Sequence, residues 1–119
     1  MSALLFVYGT LKRGCRNHRQ MAGQAFVNQA RTTPGFRLVD LGGYPGIVPD
    51  PAGGAVEGEV WAVDTKALRR LDAFEGTESG LYRRAQIPLA APFSGHTVEA
   101  YFPGGDVQGR PSVGYCWQE

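Results

Sequence analysis

Residues 56–76 read VEGEVWAVDTKALRRLDAFEG, and in this stretch a strand pattern passes directly into a helix pattern. Over residues 56–63 apolar and polar side chains alternate between two faces, which is typical of a β-strand. From residue 64 onward the apolar spacing lengthens to every third residue, which predicts an α-helix with one buried face. The apolar stripe of this predicted helix consists of Leu68, Leu71 and Phe74.

Both ends of this helix carry recognisable signals. Asp64 or Thr65 can cap the first turn, and Gly76 can end the last one. Glu75 then lies in the last turn, where the helix dipole is negative and a carboxylate is disfavoured. Glu75 also lies next to the apolar Phe74 and the chain-reversing Gly76, which would point it into a partly buried space. Both effects favour the neutral acid and make the carboxylate a better base. The alternative is that Glu75 is simply solvated at a frayed helix end.

The rest of the chain reads as strands separated by turns. The 17 glycines and 8 prolines predict many tight turns and few helices. A second short helix is predicted with Asn17 as its N-cap. These elements predict one α+β domain over residues 1–119, built as a small mixed β-barrel or strongly curled sheet with two short flanking helices. The remaining predicted segments are strands at 3–8, 24–33, 36–41, 82–89 and 97–102, a short strand at 47–48, and the helix at 17–22.

Composition narrows the class of protein. A chain of 119 residues with 43% hydrophobic content can form a core, and its net charge is only 12 − 11 = +1. This balance argues against a nucleic-acid or membrane-surface partner, and no apolar run is long enough to span a membrane. We therefore expect a soluble cytoplasmic protein. Cys15 and Cys116 have no metal-ligand spacing and are expected to be free thiols.

The segment FVYGTLKRG, residues 6–14, ends the first strand with a glycine turn. Gly, four residues and Gly match part of a phosphate loop, but Cys15 and Arg16 stand where that loop requires Lys and Ser or Thr. A strand that ends in Gly-Thr still exposes consecutive backbone N–H groups. Such groups bind a carboxylate or a developing oxyanion. The alternative is that Gly9 serves only the turn.

Other side chains offer weaker candidates for chemistry. Cys15 with His18 three residues on suggests a thiol nucleophile, although no acid is indicated that would orient the histidine. Trp61, Tyr82 and Tyr101 are expected to pack in the sheet, and each could also line a pocket.

Five segments together resemble one known superfamily. FVYGTLKRGCRNHRQM, GGYPGIV, VEGEVWAVD, LRRLDAFEG and LYRR occur in the order seen in the gamma-glutamylcyclotransferase-like superfamily. Within it, the chain most resembles gamma-glutamylamine cyclotransferases, which also carry YGTLK followed by an Asn-His-Arg segment. The resemblance covers about residues 4–102.

The resemblance implies a fold, an activity and a site. The fold would be a small mixed barrel with flanking helices. The activity would be cleavage of a gamma-glutamyl amide by attack of its own α-amine, which releases 5-oxoproline and an amine. Glu75 would be the catalytic carboxylate, and no cofactor or metal would be needed. The substrate-binding residues implied by the resemblance are Tyr8, Gly9, Thr10, Leu11, Tyr82 and Tyr101.

Several alternatives remain open from the sequence. A non-catalytic module of the same fold could bind a small carboxylate, or Cys15 could serve an amide hydrolase. The segment 103–119 has no clear counterpart in the resemblance. The leaving amine is therefore open, and the candidates are gamma-glutamyl-lysine, another gamma-glutamylamine, a gamma-glutamyl dipeptide or an acylated biosynthetic intermediate.

Overall fold

The computed structural model describes residues 2–119, and over these residues the chain forms seven β-strands, one α-helix and one 3₁₀ turn. In chain order the strands and the α-helix are β1 (Ser2–Val7), β2 (Ala25–Arg31), β3 (Phe36–Asp40), β4 (Pro45–Pro49), β5 (Glu57–Asp64), α1 (Thr65–Glu75), β6 (Tyr82–Gln86) and β7 (Val98–Pro103). The 3₁₀ turn spans His18–Met21, between β1 and β2.

Two sheets organise these strands. The larger has the order β2-β5-β1-β7-β6, and the smaller is the hairpin β3-β4. β1 lies in the middle, antiparallel to β5 and parallel to β7, so the larger sheet is mixed. The turn that follows Val7 therefore starts from the central strand of the sheet, which is paired on both sides.

The predicted barrel is wrong, because within residues 2–119 the larger sheet does not close. Its edge strands β2 and β6 do not pair. The segments that follow β2 and β6 contact each other through an isolated β-bridge between Thr32 and Leu89. Strands β3 and β4, which could have extended the sheet, pair with each other instead. The α+β class itself is confirmed.

The second predicted helix is also shorter than expected. It is a single 3₁₀ turn, and Gly23 follows it with a φ of +80°. Asn17 does not cap this turn through its side chain. Instead, its Nδ2 donates to the Thr10 hydroxyl oxygen over 3.0 Å. The structure therefore has one true helix, α1, over the residues it describes.

The sheet is covered on both faces. One face packs through Phe6, Val60 and Phe102 against the hairpin β3-β4 and the chain near Phe93. The other face packs against α1 and the 3₁₀ turn in a second apolar cluster, which includes Leu71. Burial on both faces fixes the orientation of α1 relative to the end of β1.

The end signals of α1 work as the sequence predicts. Asp64 is the N-cap, and its carboxylate accepts the Ala67 N–H over 2.7 Å. Gly76 is the C-cap in the left-handed region, with a φ of +70°, which glycine adopts without steric cost. The predicted stripe is right for Leu71, which is fully buried, and wrong for Phe74, which is 41% exposed. Phe74 lies in the last turn of the helix, next to a cavity.

Candidate functional site

A cavity of about 220 Å³ lies where the end of β1 meets the C-terminus of α1. Its wall includes every site residue that the sequence indicated. These residues are Tyr8, Gly9, Thr10, Leu11, Glu75, Tyr82 and Tyr101. The fold thus brings together a turn after the first strand, an acid at residue 75 and two tyrosines from β6 and β7, which follow β1 on one side of the sheet.

The turn after β1 presents free backbone donors. It is closed by the Lys12 N–H, which donates to the Gly9 carbonyl over 3.1 Å. The amides of Gly9, Thr10 and Leu11 donate to no acceptor within residues 2–119. Leu11 is buried in the core and anchors the turn. Fixed N–H groups of this kind suit a carboxylate or an oxyanion, because binding needs no rearrangement of the backbone.

Packing, rather than backbone conformation, explains why residue 9 is a glycine. Gly9 is not among the glycines with a positive φ. A Cβ on Gly9 would stand 2.6 Å from the Pro45 Cγ and 3.1 Å from its Cδ. The proline ring thus fits closely against the bare turn. Any larger residue would push the turn away from the hairpin β3-β4.

Glu75 is the acid of the cavity. Its side chain is half-buried, and no group within residues 2–119 forms a hydrogen bond or an ion pair with its carboxylate. Loss of water around the carboxylate raises the pKa of Glu75 from 4.5 to about 7. A group with such a pKa is present in both protonation states near neutral pH. It can therefore take and return a proton.

Tyr8 and Tyr82 use their hydroxyl protons within the protein. The Tyr8 hydroxyl donates to the Tyr101 carbonyl over 2.5 Å and accepts the Ile47 N–H over 3.2 Å. The Tyr82 hydroxyl donates to the Pro45 carbonyl over 2.7 Å. Burial raises the pKa of both phenols, and the charge of Glu75 adds to this rise. These tyrosines therefore form neutral walls that tie the hairpin to the larger sheet.

Tyr101 belongs to an ion-pair network below the cavity. Its hydroxyl donates to the Asp72 Oδ1 over 2.7 Å, and Arg84 forms two hydrogen bonds to the same carboxylate, over 2.9 and 3.0 Å. Arg84 also donates to Glu99 over 2.6 Å. Burial opposes ionisation, but the hydrogen bonds from Arg84 and Tyr101 keep the pKa of Asp72 below its usual value. The network fixes α1 against β6 and β7 one turn before Glu75.

The cavity is also lined by residues that were not predicted as site residues. They are Arg16, Asn17, Tyr44, Pro45, Phe74 and Leu81, together with the strand residues Phe6 and Val7. Most of them lie in turns or at element ends, where no periodic pattern marks them. All eight lie within segments that carry the family resemblance, namely FVYGTLKRGCRNHRQM, GGYPGIV, LRRLDAFEG and LYRR, and this resemblance was the available signal.

Cys15 does not lie in the wall of the cavity. Its thiol is free and half-buried, and burial together with the charge of Glu119 raises its pKa. The imidazole Nδ1 of His18 contacts the Leu11 carbonyl at 2.9 Å. A raised pKa disfavours the thiolate that nucleophilic catalysis requires.

Across residues 2–119, no three His, Cys, Asp or Glu side chains are grouped so that they could hold a metal ion. In the same part of the chain, none of the helices has the length and apolarity needed to cross a membrane.

Comparison with known proteins identifies the family. The family model described as "Gamma-glutamyl cyclotransferase, AIG2-like" matches residues 5–118. The chain belongs to this family.

Individual relatives agree with that assignment. The chain is 37% identical over 123 residues to the gamma-glutamylaminecyclotransferase of Homo sapiens, which covers 97% of this chain and 76% of the human one. The solved structure of an AIG2-like protein from Mus musculus matches with a TM-score of 0.76 and 32% identity, over 93% of this chain and 85% of that one. A protein specific to uropathogenic Escherichia coli matches with the same TM-score and 25% identity, over 96% of this chain and 89% of that one.

Proposed function

We propose that this protein is a cyclotransferase that cleaves a gamma-glutamyl amide and releases 5-oxoproline and a free amine. The observation that carries the proposal is a half-buried acid with a pKa of about 7, placed in one cavity with a turn of free backbone N–H groups. The family assignment supports the same reaction type. Names of relatives that contain gamma-glutamylamine support an amide as substrate.

In this reaction the substrate supplies its own nucleophile. The α-amine nitrogen forms a bond to the γ-carbonyl carbon, a tetrahedral oxyanion develops, and the amide C–N bond then breaks. The α-amine is mostly protonated at neutral pH, so it must lose a proton before attack. Glu75 in its carboxylate form takes this proton. The resulting neutral acid gives it to the departing nitrogen as the amide C–N bond breaks. The attacking nitrogen loses a second proton as it becomes the lactam N–H, and the regenerated carboxylate passes this proton to the released amine, so the enzyme returns to its starting state.

The turn after β1 stabilises the negative charges of the substrate. The γ-carbonyl oxygen of the substrate becomes negative during attack, and its α-carboxylate is negative throughout. The amides of Gly9, Thr10 and Leu11 provide three donors for these two groups without any change in the protein. The Thr10 hydroxyl accepts from Asn17, which leaves its own proton free for a substrate oxygen.

The walls of the cavity hold the substrate in a folded shape. Attack forms a five-membered ring, so the amine and the carbonyl must be held in contact rather than in an extended chain. Tyr82 and Tyr101 line the cavity and have their hydroxyls fixed by protein acceptors. Rigid walls of this kind supply proximity, which can account for several kcal/mol of an activation barrier.

A panel of gamma-glutamyl amides tests the proposal through 5-oxoproline release. The matched control substrates carry an N-acetyl group on the α-amine, which removes the nucleophile and leaves the amide bond unchanged. We expect release from the free amines and none from the acetylated set. A thiol hydrolase would instead cleave both sets to glutamate derivatives and would stop after treatment with iodoacetamide. A binding module would show affinity for the panel without any release, and either result would overturn the proposal.

A further inference from the structure

Two half-exposed apolar side chains flank the acid of the cavity. Phe74 precedes Glu75 in the last turn of α1 and is 41% exposed. Leu81 is 51% exposed, and its N–H donates to the Gly76 carbonyl over 3.0 Å, which holds it beside the helix end. Both side chains line the cavity. Single exposed apolar residues are common on protein surfaces, but two beside one acid in one cavity call for a ligand.

The position of Glu75 decides which part of a substrate meets these side chains. On the proposed function, the neutral acid protonates the leaving nitrogen, so that nitrogen lies within hydrogen-bond reach of the carboxyl group. The substituent on this nitrogen must then extend out of the cavity past the residues at the C-terminal end of α1. Phe74 and Leu81 are the apolar residues at that end.

The charges of the cavity argue against a cationic leaving group. Among residues 2–119, Arg16 and Glu75 are the charged side chains that line it. The Arg16 guanidinium donates to the Gly43 carbonyl and lies 3.7 Å from a Glu119 carboxylate oxygen. Glu75 is already committed to the leaving nitrogen. An ammonium group further along the leaving amine would therefore meet a guanidinium and two apolar side chains, with no free carboxylate in the wall.

We propose, on the basis of the proposed function, that Phe74 and Leu81 select gamma-glutamyl amides whose leaving amine carries an uncharged hydrocarbon group. The apolar substituent lies against the two side chains and removes their exposed area from water. A substituent that ends in an ammonium group loses hydration without gaining a partner. The two residues thus set the specificity of the enzyme for its leaving group.

The first experiment measures kcat/KM for gamma-glutamyl n-alkylamides from methyl to butyl. A fully buried methylene contributes about a fourfold gain in kcat/KM. A methylene that lies against the half-exposed side chains of Phe74 and Leu81 should give roughly a twofold gain. We therefore expect about an eightfold rise over the three added methylenes. A second pair compares the n-hexylamide with the 5-aminopentylamide, which differ only in the terminal group. We expect the ammonium-ended amide to react at least about fivefold more slowly.

Substitution of Leu81 then tests whether this side chain causes the preference for longer alkyl groups. Leu81→Asn keeps the side-chain size and should reduce the butyl-to-methyl ratio from about eight to about two. Val27→Thr is the matched control, because Val27 is 43% exposed on β2 and does not line the cavity. We expect this control to keep the wild-type ratio.

The outcomes separate this inference from the proposed function. Release of 5-oxoproline with a flat chain-length series, or with a preference for the ammonium-ended amide, would overturn the inference alone. An unchanged butyl-to-methyl ratio in Leu81→Asn would show that Leu81 does not cause the preference. If no gamma-glutamyl amide released 5-oxoproline, the proposed function and the inference would fail together. The wild-type series needs no variant, so the test does not depend on the folding of Leu81→Asn.

Discussion

Glu75→Gln should stabilise the protein at the same time as it removes activity. The substitution keeps the size of the side chain and eliminates the ionisable group. In the folded protein the pKa of Glu75 is raised from 4.5 to about 7 by loss of hydration. A shift of one pKa unit corresponds to about 1.4 kcal/mol, so the ionised form costs about 2–3 kcal/mol of folding free energy when partial exposure is allowed for.

The sign of the pH dependence follows from proton binding. Between pH 4.5 and 7 the folded state holds this proton more tightly than the unfolded state does. The stability of the wild type should therefore fall as the pH rises through this window, and the loss should be complete above about pH 7. Glu75→Gln has no proton to lose. Its free energy of unfolding should match the wild type at pH 4 and exceed it by about 2–3 kcal/mol at pH 8.

Urea denaturation at pH 4, 6 and 8 measures this difference. Glu78→Gln is the matched control, because it removes the same charge from an exposed position three residues further on. We expect the control to change stability by less than about 0.5 kcal/mol at every pH. If Glu75→Gln gained no stability at pH 8 relative to pH 4, its carboxylate would be hydrated in solution, and the physical basis of its raised pKa would be refuted.

Turnover of the same variants completes the test. Removal of a general acid–base group lowers kcat by a factor on the order of 10² or more. The wild-type kcat/KM should fall about tenfold per pH unit below about pH 7, because Glu75 must be ionised to accept the proton. Glu78→Gln should keep the wild-type profile. Normal turnover in Glu75→Gln would exclude Glu75 as the proton carrier, whatever its effect on stability.

Three further predictions concern the rest of the site. The double variant Cys15→Ser, Cys116→Ser should keep kcat within about twofold, because both thiols are free and cyclisation needs no enzyme nucleophile; a loss above tenfold in a folded variant would contradict this. Gly9→Ala should raise KM at least tenfold and lower the melting temperature, because its Cβ would overlap a proline ring at 2.6 Å; unchanged kinetics would show that the turn adapts freely. Asp72→Asn should lower the free energy of unfolding at pH 7 by about 1–2 kcal/mol, and this loss should shrink as the pH falls through the lowered pKa of Asp72, because the bonds from Tyr101 and Arg84 stabilise its charged form; an equal loss at every pH would point to packing alone.

Local signals were sufficient where local forces set the structure. The start and end of α1 follow from one capping carboxylate and one glycine in the left-handed region, and both can be identified from residue type and spacing. The strand at residues 57–64 follows from alternation. The position of Glu75 at the helix end followed from the same signals, and so did the expectation of a raised pKa.

Non-local contacts account for what the sequence could not predict. Whether a curled sheet closes depends on the pairing of its edge strands, which are about 50 residues apart along the chain. The requirement for glycine at residue 9 comes from the ring of Pro45 in the hairpin, and no local pattern indicates that contact. Phe74 fits the apolar spacing of α1, and this spacing predicted that it would be buried. The residue lies beyond the buried part of the helix and is therefore exposed.

The hydrogen bonds of the tyrosines bear directly on the proton chemistry. Tyr8, Tyr82 and Tyr101 all line the cavity, yet each gives its hydroxyl proton to a carbonyl or a carboxylate of the protein. Burial raises the pKa of all three phenols, so none of them ionises near neutral pH. Among the described residues of the cavity wall, this leaves Glu75 as the group whose pKa lies near 7. A reaction that takes a proton from one nitrogen and gives it to another needs one such group and no more. It follows that a single ionisation should govern the acid limb of the pH profile, and a second enzyme ionisation in that limb would contradict this assignment.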